Sequence, residues 1–155
     1  MNPEFIVIHH SLTKDSGTVS WGAIRTYHKS LGWEDIGYHW GVELINTHYE
    51  ILVGRTMSRN GAHCKEASMN RRGIGICCVG NFDDASMPRA QEDALVRLVQ
   101  WLRKELEITI QRVIGHRQAG LMEGKDWQKG EFKSCPGKLF DINAFRLRLK
   151  EEDDA

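Results

Sequence analysis

Residues 73–80, GIGICCVG, run for eight positions without a charge. A segment that short and apolar, bounded by glycine, reads as a buried strand. Adjacent side chains on a strand point to opposite faces, so Cys77 and Cys78 are expected on opposite sides of a sheet as small core thiols. A buried strand needs neighbours, and two segments of similar character supply them: FIVIHH (5–10) and YHWGVELI (38–45). EILV (50–53) follows NTHY and forms a hairpin with the second, while RVIG (112–115) leads directly into His116. Between the strands lie helical patterns. In 88–107, Leu95, Leu98, Val99, Leu102 and Leu106 recur at helical spacing, with Pro88 at the start, Glu92 and Asp93 early, and Arg103 and Lys104 late. A second helix is expected from an N-cap at Ser20 to about Ser30, and a third over roughly 141–150. Strands interrupted by helices predict an α/β fold: a single domain with a central mixed β-sheet flanked by helices, mixed because the 38–53 hairpin is antiparallel. At 155 residues one domain suffices. It is expected over 1–150, with 151–155 as an acidic, frayed C-terminal tail.

Equal numbers of basic and acidic residues, 21 each, give no long-range attraction for nucleic acid or an anionic membrane, so neither is expected as a partner, and a monomer is expected. The first residues, MNPEFIVIHHS, lack a basic leader and an apolar run ending in small residues, which predicts cytoplasmic synthesis without a signal peptide. No apolar stretch is long enough to span a bilayer. Four cysteines, at 64, 77, 78 and 135, are too few and too irregular for a disulfide framework.

The chemistry-bearing residues concentrate at strand ends. His9 and His10 close the first strand, His39 lies in the second, His116 follows RVIG, and His63 sits in the loop NGAHCK. Strand ends gather at one edge of a sheet, where ligand sites of α/β folds are built. His9, His116 and Cys135 could therefore meet. Two imidazoles and a thiolate make the three-ligand set of a catalytic zinc site that leaves the fourth position to water. Their separations, 107 and 19 positions, form no short ligand motif, so a structural histidine and a loop thiol remain open readings. Cys135 alone could equally be a nucleophile or half of a disulfide.

Six motifs in order narrow this: VIHHS (7–11), DIGYHW (35–40), GAH with Asn70 seven residues after its histidine (61–70), GIGICCVGNFD (73–83), GHR (115–117) and KSCPG (133–137). In this the chain resembles the zinc-dependent N-acetylmuramoyl-L-alanine amidases of the bacteriophage T7 lysozyme and peptidoglycan-recognition-protein group, over about residues 5–146. The resemblance implies a peptidoglycan-recognition-protein-like fold and hydrolysis of the amide between the lactyl group of N-acetylmuramic acid and L-alanine. It implies Zn2+ on His9, His116 and Cys135, catalytic roles for Tyr38 and Lys133, and substrate contacts from His63 and Asn70. The substrate would be peptidoglycan or a muropeptide, met at the cell wall after release at lysis, as an endolysin does.

Two departures stand out. Some amidases of the superfamily carry a catalytic glutamate in the strand that here holds Cys77 and Cys78. The step from His116 to Cys135 is also longer than the lysozyme's loop and brings in Trp127, either a wall against which a sugar packs or an incidental surface residue. Other readings kept alongside are a peptidoglycan-binding module without catalysis, a cytosolic amidase of muropeptide recycling, and a closed structural zinc site with His10 or His63 as a fourth ligand.

Overall fold

The computed structural model describes residues 1–13 and 21–155. The N-cap expected at Ser20 lies outside the described residues. Among the described residues five strands form one sheet: β1 (Phe5–His10), β2 (Trp40–Ile45), β3 (His48–Val53), β4 (Gly73–Cys78) and β5 (Val113–Gly115), in the order β3-β2-β4-β1-β5. β1 pairs in parallel with β4 and β5, β2 in parallel with β4, and only the β2–β3 hairpin is antiparallel, so the sheet is mixed as expected. The helices are α1 (Trp21–Ser30), α2 (Met69–Arg72), α3 (Arg89–Leu106), α4 (His116–Met122) and α5 (Ile142–Asp153).

Strand alternation divides the sheet into two chemically different faces. Ile6 and Ile8 of β1, Val42 of β2, and Ile74, Ile76 and Cys78 of β4 pack with Leu95, Leu98, Val99 and Leu102 of α3 and Phe145 and Leu149 of α5. Fully burying an aliphatic side chain contributes roughly 1.5–3 kcal/mol, so this is the main stabilising layer. The opposite face carries Val7 and Ile114 at one side and, elsewhere, small residues and histidine. At Gly41 a Cβ would lie 2.6 Å from the Trp21 ring, and at Gly75 it would lie 2.6 Å from the His63 ring. Those two glycines let bulky rings lie flat on the strands. Cys77 falls on this second face with Trp21 and Ile36, opposite Cys78, as alternation requires.

The C-terminal residues differ from expectation. α5 runs to Asp153, so three of the five residues expected to fray are helical. Asp141 caps its start by accepting from the backbone N–H groups of Asn143 and Ala144. Asp153 pairs with Arg103 of α3 at 3.2 Å, which ties the end of α5 to the main helix. The segment after His116 is also not plain loop: α4 occupies its first six residues, and a short 3-10 turn forms at Trp127–Lys129. Gln118 starts α4 by accepting the Gly115 backbone N–H on its side-chain Oε1 at 2.7 Å, a local signal that the strand-like RVIG run masks.

Candidate active site

The parallel register of β1 sets His9 beside Cys77 of β4 and Ile8 beside Gly115 of β5, so His116, one step beyond β5, comes level with His9. The two imidazole centroids are 4.8 Å apart, and Cys135 Sγ lies 3.6 Å from His9 Nδ1. Ligand atoms of His9, His116 and Cys135 all fall within 4.8 Å of one another, and all three residues are buried. The Cys135 turn is held from behind. Arg117 donates its backbone N–H to the Cys135 carbonyl at 2.8 Å, and its guanidinium donates to the carbonyls of Ser134, Gly137 and Phe140. The Cys135–Pro136 peptide bond is cis.

Each histidine of this cluster has its outer nitrogen engaged. The Gly73 carbonyl can only accept, so His63 Nε2 donates to it at 3.1 Å and His63 Nδ1 is left as an acceptor. His9 Nε2 then donates to His63 Nδ1 at 2.9 Å, and His9 presents the lone pair of Nδ1 to the thiol. On the other side, His116 Nε2 donates to the Glu66 carboxylate at 3.0 Å, which leaves Nδ1 as its free lone pair. The Cys64 thiol approaches the same carboxylate oxygen at 3.6 Å. Metal-ligating histidines characteristically donate their second N–H to a carboxylate or carbonyl chain in this way, because it fixes tautomer and ring orientation. The donor set therefore fits a metal ion, with two imidazole lone pairs and one thiol converging.

Electrostatics agree. Burial holds His9 well below the ordinary imidazole range, reinforced by the positive character of His116, His63 and Lys133. Burial also lowers His116 and pushes His63 down to about 3. All three are neutral at neutral pH, as ligation and the relay require. Burial pushes the Cys135 thiol up to about 12, although the His10 backbone N–H, Lys133 and Arg117 pull the other way. A cation is what would bring that thiol to its anionic form. Tyr38 stands 5.2 Å from the His9 ring, its hydroxyl raised well above the usual phenol range by burial and by the neighbouring Cys77 and Cys135. It is a neutral hydrogen-bond donor rather than a base.

The sequence profile of the family described as N-acetylmuramoyl-L-alanine amidase matches residues 1–138. The chain belongs to that family. Among curated relatives, the endolysin of Escherichia phage T7 is 35% identical over 112 residues, covering 69% of this chain and 71% of the relative. Peptidoglycan-recognition protein SC2 of Drosophila melanogaster is 32% identical over 140 residues, covering 86% and 67%. Among solved structures, the N-acetylmuramoyl-L-alanine amidase LysC from Clostridium intestinale superposes with a TM-score of 0.75 at 27% identity, over 96% of this chain and 86% of that one. The bond an enzyme of this kind hydrolyses is the amide between the muramoyl carboxyl and the amino group of L-alanine.

The amidase brings His9, His116, Cys135, Tyr38 and Lys133 to one end of the sheet; Lys133 is exposed, and its charge bears on both His9 and His116. Alternation turns His10 to the other face, where its ring lies 6.0 Å from Phe82 and Nδ1 accepts from the Phe82 N–H. His63 and Asn70 also have partners inside the protein. Both nitrogens of His63 are used inside the protein, and Asn70 Oδ1 accepts from the backbone N–H groups of His63 at 2.6 Å and Cys64 at 2.8 Å. Asn70 shapes the loop, and His63 braces His9. Sequence reasoning missed Glu66, Cys64 and Arg117. Arg117 stands in a motif that was recognised, beside His116. Glu66 lies three residues after His63 but 50 before its partner His116, and no local pattern links positions that far apart.

Proposed function

We propose that the amidase is zinc-dependent, with His9 Nδ1, His116 Nδ1 and Cys135 Sγ as its three ligands and an open fourth position. The observation that carries this is the pair of braced imidazoles: each outer nitrogen is engaged, by His63 or by Glu66, so both remaining lone pairs aim inward beside the thiol. Zinc in such a site supplies a Lewis acid for the carbonyl and acidifies water to a pKa near ~7. The closed structural alternative is less favoured, because His10 faces away and His63 has no nitrogen left to serve as a fourth ligand.

The chain's own groups then divide the remaining work. Lys133, beside both histidines, would meet the negative charge that develops on the carbonyl oxygen; losing one such donor typically costs on the order of 10²–10³ in turnover. Tyr38 would donate to the attacking water or to the oxyanion. Neither cysteine of β4 can act as the base, since burial raises both thiols far above neutrality. The proton for the departing L-alanine amine would come from Lys133, Tyr38 or solvent. The polypeptide's setting follows from its relatives: the phage T7 and T3 proteins it resembles are endolysins, and we infer the same role, lysis of the cell wall from within.

The test is digestion of purified peptidoglycan before and after zinc removal, with mass spectrometry of the soluble products. Free stem peptides beginning with L-alanine, lost on chelation and restored by zinc, are expected. Intact muropeptides after full zinc loading would overturn the zinc hydrolase.

A further inference from the structure

The scissile amide joins two chemically unlike halves, a glycan and a peptide, so a cleft that cuts it needs two arms on either side of the reacting atoms. Two cavities have a lining residue packed against the His9–His116–Cys135 cluster: Tyr38, 5.2 Å from the His9 ring, and Phe132, beside His116. One, of about 330 Å³, is lined by Ile24, Tyr27, His28 and Tyr38 and lies on the α1 side. The other, of about 670 Å³, is lined by Trp127, Phe132, Asp83, Gln128 and Lys138, all but Asp83 from the segment that follows α4. Phe132 joins this second cavity to the cluster, since it also packs edge-on against the His116 ring at 5.5 Å between centroids. Ser134, another lining residue, is the immediate neighbour of Cys135.

The composition of the second cavity is that of a sugar site. Carbohydrate rings present apolar C–H faces to aromatic rings and hydroxyls to carboxylates, amides and ammonium groups at their edges. Here Trp127 and Phe132 give the aromatic surfaces. Trp127 has the Arg117 guanidinium against it, 4.3 Å from the ring centroid, which holds the indole in place. Asp83 spends Oδ1 on Ser134 Oγ and the Lys138 N–H, both at 2.8 Å, so its position is fixed while Oδ2 keeps acceptor capacity for a hydroxyl. Gln128 and Lys138 are exposed and carry donors. A peptide arm would instead want apolar side-chain pockets, which the cavity lined by Ile24, Tyr27 and Tyr38 matches better.

We propose that the cavity between Trp127 and Phe132 binds the N-acetylated hexose of the glycan strand adjoining the scissile lactyl amide, so that the α4-to-Cys135 segment is the glycan arm of the cleft. This rests on the amidase reading and names the half of the substrate that the segment holds. Because Arg117 both supports Trp127 and holds the carbonyls around Cys135, a sugar seated there would sit on the same scaffold as the ligand turn.

The experiment compares zinc-loaded enzyme on two soluble substrates with the same amide: GlcNAc-MurNAc-L-Ala-D-isoglutamine, and D-lactyl-L-Ala-D-isoglutamine without any sugar. Wild type is expected to favour the first in kcat/KM by on the order of 10–100-fold, the range a remote apolar and hydrogen-bonding subsite typically supplies. Trp127→Ala should reduce that ratio about tenfold, Gln128→Ala and Lys138→Ala by a few-fold each, and Trp127→His, which keeps a flat ring, should restore most of it. Calorimetric titration with the free GlcNAc-MurNAc disaccharide should show binding to wild type that Trp127→Ala weakens. Equal cleavage of both substrates by wild type overturns the glycan arm and leaves the amidase standing. If neither substrate is cleaved, the amidase reading fails, and the disaccharide titration decides the sugar site: binding that depends on Trp127 upholds it, and no binding overturns it.

Discussion

Removing the charge or the acceptor at Glu66 should loosen zinc without touching a proposed ligand. The carboxylate receives the His116 Nε2–H at 3.0 Å, with the two side chains only 4% and 7% exposed. Burial works to raise the Glu66 carboxyl, but the His116 hydrogen bond overrides it and the net shift is downward, so the group is an anion at neutral pH. A hydrogen bond to a charged acceptor contributes roughly 1.5–3 kcal/mol. Loss of a partner behind a metal-bound histidine typically costs 10–100-fold in affinity, which at about 1.4 kcal/mol per decade is the same range. Glu66→Gln keeps an acceptor oxygen near Nε2 and loses the charge, so about tenfold weaker zinc binding is expected. Glu66→Ala also leaves a buried N–H unpaired, and about 100-fold is expected. The assay is zinc competition against a chromophoric chelator at fixed pH, with a thermal melt of the metal-free protein alongside to separate ligand bracing from loss of fold. Zinc affinity in Glu66→Ala equal to wild type would refute the argument that this carboxylate orients His116.

The remaining predictions follow from the same groups. Zinc binding should tighten about tenfold per pH unit between about pH 7 and 9, because Cys135, at about 12, must give up one proton while His9 and His116 are already neutral; a pH-independent affinity would contradict this. Metal-free protein should lose stability in acid: His63 has its folded value lowered to about 3, so its contribution is whole above the unfolded value near ~6.5 and is lost at about 1.4 kcal/mol per pH unit below it, and because burial lowers His9 and His116 too, urea midpoints at pH 4 to 7 should show at least that slope. Gly75→Ala would set a methyl 2.6 Å from the His63 ring, and should weaken zinc binding through His9 by displacing its brace, whereas unchanged zinc affinity would show that His63 does not position His9. Lys133→Ala is expected to lower kcat by on the order of 10²–10³ while zinc content, read by atomic emission, stays at one per chain.

The sheet was legible in the sequence because burial leaves a local mark. FIVIHH proved to be β1 residue for residue, and β2, β4 and α3 fell within two residues of the apolar runs that announced them. The opposite facing of His9 and His10, and of Cys77 and Cys78, followed from the two-residue period of a strand alone. The convergence of His9, His116 and Cys135 came from motif order and resemblance, and the parallel β1–β5 register supplies its physical cause. What the chain's local pattern could not reveal are pairings across long separations. Whether His63 touches substrate or braces His9 depends on where β4 places the Gly73 carbonyl and on the space above Gly75. That Glu66 reaches His116, or that Arg117 holds the Cys135 turn and stacks on Trp127, depends on which loops the assembled sheet brings together. Periodicity and composition report how each residue meets its own element and solvent; a hydrogen bond between residues 50 positions apart exists only once the tertiary fold has fixed both partners in space.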